Sequence, residues 1–62
     1  MSSEAIDRLI STLDSAGEEI ADLAYLAVRD QIHGSDDAKN REKKLMSARR
    51  AAVKAADALR SL

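Results

Sequence analysis

The sequence contains no cysteine and no proline. Without cysteine there is no disulfide staple and no thiolate metal site, and the redox compartment leaves no mark. Without proline, no position is barred from a helix on that account. Glycine occurs only as Gly17 and Gly34, too few for a phosphate-cradling loop. Tyr25 is the only aromatic residue and His33 the only histidine. A structural zinc site needs more ligands than one histidine can supply. No apolar run approaches the ~18 residues of a membrane span, and the opening MSSEAIDRL lacks the apolar core of a signal peptide. A soluble, cytoplasmic chain is expected.

What remains is alanine, leucine, lysine, arginine and acidic residues, the composition of long helices. A chain of 62 residues makes at most one small domain, whose core contributes only ~3–5 kcal/mol unless something staples it. With the covalent and metal staples excluded, a second copy or a partner is the expected remedy. Charge is nearly balanced overall but unevenly placed. Residues 1–34 hold seven acids against Arg8 and Arg29, and residues 35–62 hold eight bases against four acids.

The stretch LDSAGEEIADL poses the main architectural question. Ser15 and Glu18 have the spacing of a helix start, and Gly17 suits a helix end. The apolar phase decides between a turn and a continuous helix. Ile6, Leu9, Leu13, Ala16, Ile20, Leu23 and Ala27 recur at steps of three and four, and that register passes through Gly17 unbroken. One helix from about residue 3 to 33 is therefore expected, with Gly17 costing roughly 1 kcal/mol relative to alanine. Its expected reason is close approach of another backbone at Ala16 and Gly17. The alternative is a three-helix bundle with a break near Gly17.

The break itself is expected at HGSDD. Gly34 suits the left-handed residue that closes a helix, Ser35 an N-cap, and Asp36 and Asp37 the first turn of the next helix. A second helix is expected over about residues 36–62, with a seam of Ala38, Leu45, Ala48, Ala52, Ala55, Leu59 and Leu62 and with Arg41 in one core-type slot. The short connection makes the two helices an antiparallel hairpin. The expected register places Asp14 near Lys54, and Glu18, Glu19 and Asp22 near Arg49 and Arg50, so that an acidic helix zips onto a basic one. The fold class is thus all-α, an antiparallel two-helix hairpin that dimerises into a four-helix bundle.

Dimerisation is expected because IADLAYLAV is apolar on every side, and a helix of that kind is normally covered on every side. Ile20, Leu23, Tyr25, Leu26, Val28 and Ile32 are the expected dimer or partner interface, with Tyr25, Val28 and Ile32 forming a second stripe. Met46 and Val53 lie beside the second helix's seam and extend either surface.

Catalysis is not expected. The serines lack an adjacent base or a nucleophile elbow, and the spacing Asp30, His33, Asp36 is too sparse for a preorganised metal site. No cofactor is implied. The function expected is a small non-catalytic protein–protein interaction module, an adaptor or regulator acting through helix-face recognition as a homodimer, with another helical protein as a further partner. The alternative is a nucleic-acid-binding regulator. Lys39, Lys43, Arg50 and Lys54 fall within an arc of ~60° at 100° per residue, a stripe suited to phosphates, although no aromatic interleaves with it for stacking.

Overall fold

The computed structural model describes residues 3–34 and 36–62. It contains two helices, α1 (Ser3–Ile32) and α2 (Asp36–Arg60), packed along their lengths as an antiparallel hairpin with Cα extents of 49 × 13 × 11 Å. Helix α1 runs through Gly17 without a break, so the three-helix alternative does not occur. Ser15 and Glu18, whose spacing imitates a helix start, are exposed mid-helix residues.

Helix α1 ends at Ile32, one residue earlier than expected, and His33 belongs to the turn. The last carbonyls are closed by tightened bonds: the His33 amide donates to the Asp30 carbonyl at 3.1 Å and the Gly34 amide to that of Gln31 at 2.9 Å. Gly34 adopts φ +88°, a conformation that a Cβ disfavours. The expected N-cap, Ser35, lies outside the described residues. Asp36 and Asp37 occupy the first turn of α2 and Arg60 its last, each on the side the helix dipole favours. Helix α2 stops at Arg60 instead of continuing to Leu62.

The seam between the helices differs from the expected one. On α1, the positions wholly or partly withdrawn from solvent are Ala5, Ile6, Ile10, Leu13, Ala16, Gly17, Ile20, Ala21, Ala24, Ala27, Asp30 and Gln31. On α2 they are Ala38, Glu42, Leu45, Met46, Ala52, Ala56 and Leu59. Five of the seven expected α1 seam positions, Ile6, Leu13, Ala16, Ile20 and Ala27, are withdrawn from solvent. Leu9 and Leu23 are exposed, with the next residues along, Ile10 and Ala24, covered instead, and Gly17 is buried beside the half-buried Ala16. Likewise Glu42 and Ala56 take the places expected of Arg41 and Ala55, while Ala48 and Leu62 are exposed.

The fully buried apolar residues among those described are Ala24, Ala27, Ala38 and Ala56, and no large side chain is fully buried. Small residues let two helices approach to the near end of the ~8–10 Å range of interaxial distances. That geometry gains close contact but removes little apolar area from water. Gly17 is buried in this seam, yet a Cβ built on it meets nothing within 4 Å. The expected steric reason for glycine at that position is therefore absent within the hairpin.

The two glycines should respond oppositely to alanine. Gly17→Ala relieves a helix-propensity deficit with no clash and should stabilise the chain by about 0.5–1 kcal/mol. Gly34→Ala imposes a left-handed alanine and should cost about 1–2 kcal/mol. Thermal unfolding followed by far-ultraviolet circular dichroism checks both, with midpoints moving up for the first and down for the second.

Candidate functional site

Two polar contacts beside the turn mark the two flanks of the seam. Arg41 donates to the Asp30 carboxylate at 3.2 Å on one side, and Gln31 donates to the Glu42 carboxylate at 3.0 Å on the other. Because adjacent residues of a helix diverge by ~100°, these contacts assign every neighbouring position to a face.

The Asp30–Arg41 flank continues along α1, past the buried Ala27, through Leu23, Ile20, Ala16, Leu13 and Leu9. Along α2 it continues through Leu45, Ala48, Ala52, Ala55 and Leu59. This is largely the set expected to zip the two helices together. Instead it forms one open side of the hairpin, here called the leucine face. Leu9 and Leu23 are 53% and 52% exposed, Ala48 and Ala55 are exposed, and Leu13, Ile20, Leu45 and Leu59 are only partly covered. At its turn end, Leu23, Leu26, Ala27 and Asp30 from α1 and Arg41, Lys44 and Leu45 from α2 line a shallow hollow.

The Gln31–Glu42 flank carries Val28, Ala21 and Asp14 on α1 and Met46, Arg49, Val53 and Arg60 on α2. It is mixed in character. Asp14 closes it at the open end by an ion pair with Arg60, which also holds Asp57 at 3.2 Å. Met46, Arg49, Arg50, Val53 and Lys54 line a shallow depression on its α2 side. Tyr25 and Ile32 sit at its outer margin and are among the most exposed apolar groups of the chain, at 70% and 79%.

The expected interface cluster is thereby divided. Ile20 and Leu23 belong to the leucine face, with Leu26 at its edge, whereas Val28, Tyr25 and Ile32 lie toward the mixed face. The signal that separates them was available in the sequence as the angle between Tyr25 and Leu26, but only once the seam direction is known.

The charge pairing also departs from expectation. Asp14 pairs with Arg60 and not with Lys54. Among the described residues the ion pairs are Asp30–Arg41, Asp14–Arg60 and Asp57–Arg60. Within that set Glu18, Glu19 and Asp22 make none with Arg49 or Arg50. The zipper is therefore reduced to two cross-helix clamps, one near each end. Lys39, Lys43, Arg50 and Lys54 are exposed on α2 and have no carboxylate within ion-pair distance among the described residues. Met46 and Val53 fall on the mixed face beside them.

Among the described residues no group of three or more histidine, aspartate or glutamate side chains could hold a metal ion. No described helix is long and apolar enough to cross a membrane. No protein-family model, curated protein or solved structure matches this chain.

The amount of surface left open can be gauged against size. A folded monomer of 6.7 kDa ordinarily exposes about 3,900 Å² by the scaling of surface with mass, whereas this hairpin exposes 4759 Å². The excess, roughly 800 Å², reflects the elongated shape of the hairpin. Its radius of gyration, 14.5 Å, likewise exceeds the ~10.6 Å of a compact chain of this length.

The cross-helix clamp at the open end should contribute little by itself. Asp14 and Arg60 are both about half exposed, so a double-mutant cycle with Asp14→Asn and Arg60→Gln should give a coupling of about 0–1 kcal/mol. Repeating the cycle at about 1 M salt should bring that coupling close to zero.

Proposed function

We propose that this chain is a small non-catalytic protein–protein interaction module that works as a homodimer, with the leucine face as the contact between copies. The observation that carries this reading is the position of the bulky residues. Leu9 and Leu23 stand exposed, and Leu13, Ile20, Leu45 and Leu59 are only partly covered, along one side of the hairpin that both helices share. A four-helix bundle is the simplest closed assembly that covers such a side, and two-fold dimers are the commonest oligomers. As a module of this kind the chain recognises partners through helix faces, in the role of an adaptor or regulator, without any reaction of its own.

Leu23→Glu places an acid in the middle of the leucine face, and Tyr25→Ser changes only the outer margin of the mixed face. Sedimentation equilibrium with helicity followed on dilution should show a dimer for the unaltered chain, with helix lost as it dissociates. Leu23→Glu should be monomeric and Tyr25→Ser dimeric. An unaltered chain that stays monomeric at several hundred micromolar would remove the homodimer from this reading.

A second reading, nucleic-acid binding, draws on the exposed stripe of Lys39, Lys43, Arg50 and Lys54. Cations already neutralised by α1 would have no need of phosphates, but these four have no such partner among the described residues. Four phosphate contacts predict that the logarithm of affinity for a labelled duplex falls with the logarithm of salt at a slope of about −3 to −4. Titrations of a duplex and an RNA hairpin at low and moderate salt check this, and no binding at low salt excludes the stripe as a phosphate site.

A further inference from the structure

Two hairpins can join through their leucine faces in two symmetric ways. With the two-fold axis along the bundle, both turns lie at the same end, and α1 of one copy packs on α2 of the other. With the axis across the bundle, the turns lie at opposite ends, α1 packs on α1 and α2 on α2. Resting on the homodimer reading, we infer that the first arrangement is the one this chain adopts: a same-end dimer in which each α1 lies against its partner's α2.

Two independent observations point there. The first is size. On the leucine face α1 presents Leu9, Leu13, Ile20 and Leu23, while α2 presents mostly alanine, Ala48, Ala52 and Ala55 between Leu45 and Leu59. Protein interiors are filled by interlocking large with small side chains. In the same-end dimer the heights set by the Asp30–Arg41 and Asp14–Arg60 contacts carry over to the partner. Ile20 and Leu23 then face the alanine-rich middle of the neighbouring α2, whereas toward the open end Ala16 falls near Ala55 and Leu13 near Leu59. In the opposite-end dimer the leucine-richer α1 helices meet along one side and the alanine-richer α2 helices along the other. The two pairs of helices would then demand different spacings within one rigid hairpin.

The second observation is charge. Helix α1 carries seven acids and two bases, and α2 carries eight bases and four acids. Most of these charges are exposed and not paired within the hairpin, as the three ion pairs among the described residues show. The same-end dimer sets acidic helices beside basic ones all round the bundle. The opposite-end dimer lines up acid with acid and base with base, an arrangement that like-charge repulsion disfavours.

This arrangement bears on the basic stripe. Diagonal placement of the two α2 helices separates their stripes by the acidic α1 helices, so that the dimer offers two narrow basic strips on opposite sides. The opposite-end dimer would merge them into one broad basic surface.

The absence of cysteine makes the test clean, since one introduced thiol gives one label per chain. His33→Cys at the turn and Ser61→Cys at the open end are both exposed positions. Each is spin-labelled, and label-to-label distances are measured by pulsed electron resonance, with dimer mass confirmed by sedimentation. Neighbouring helix axes lie ~8–10 Å apart, so the same-end dimer predicts distances below about 30 Å for 33-to-33 and for 61-to-61. A mixed sample of 33-labelled and 61-labelled chains should show about 40 Å or more, the length of ~27 residues of helix. The reverse pattern in a confirmed dimer overturns the arrangement while leaving the homodimer standing, and brings the two basic helices together. A monomer with no dipolar coupling overturns both. Two label sites guard against one variant failing to fold, and far-ultraviolet circular dichroism verifies helicity in each.

Discussion

The seam of small residues between α1 and α2 is the constraint on which the rest of the molecule depends. Ala24, Ala27, Ala38 and Ala56 are the apolar residues fully removed from water among those described, and each contributes a single methyl group. At ~25 cal/mol per Å² of buried apolar surface, a core of that kind stabilises the fold far less than buried leucines and isoleucines would. Close approach comes with a loss of hydrophobic burial, and the bulky side chains flank the seam without being enclosed by it. The leucine face is therefore the counterpart of the alanine seam. The hairpin fully buries only alanines among its apolar side chains in the described residues, leaves its seam leucines and isoleucines partly covered, and leaves Leu9 and Leu23 open to water.

Electrostatics plays a narrower part than the lopsided charge suggests. The cross-helix ion pairs, Asp30–Arg41 and Asp14–Arg60, sit toward opposite ends of the hairpin. They lie on opposite flanks of the seam, so together they oppose both sliding and rolling of one helix on the other. Each is partly exposed, and such pairs set register more than they add stability. The rest of the charge stays on the outer surface, acids on α1 and bases on α2. The hairpin is thus polarised across its width, a property that matters for what it meets and little for how it folds.

Helix, turn and helix were legible in the sequence because each rests on a local signal. The apolar phase that continues through Gly17 outweighed the capping signal of Ser15 and Glu18, and Gly34 before two aspartates fixed the turn. The seam was not legible to the same degree. Two overlapping phases share Ile6, Leu13, Ile20 and Ala27, and they differ by one residue elsewhere: Leu9, Ala16 and Leu23 in one, Ile10, Gly17 and Ala24 in the other. Hydrophobicity favours the first, since leucine outranks glycine and alanine. The close-packed interface buries Gly17 and takes Ala24 over Leu23, because small residues let α2 come near, while toward the open end it covers Ile10 instead of Leu9. The same shift explains why Arg41, expected in a core slot, flanks the seam while Glu42 is drawn in beside Gln31. The division of Tyr25 from Leu26 depends on that phase and was invisible without it.

Tyr25 gains its significance from the same geometry. If the leucine face is occupied by a second copy, the residues consumed are those aligned with Asp30 and Arg41, and Tyr25 is not among them. It points away from that contact in either symmetric arrangement, as do Val28 and Ile32 beside it. Across the mixed face lie Met46 and Val53, bordered by Arg49, Arg50 and Lys54. An exposed aromatic with apolar neighbours and a cationic border is the surface a dimer leaves free, since aromatic and arginine side chains are the ones most enriched where interfaces concentrate their binding energy. On the proposed homodimer, assembly and recognition would fall on different faces of one hairpin, so that a substitution on either side would alter one without the other.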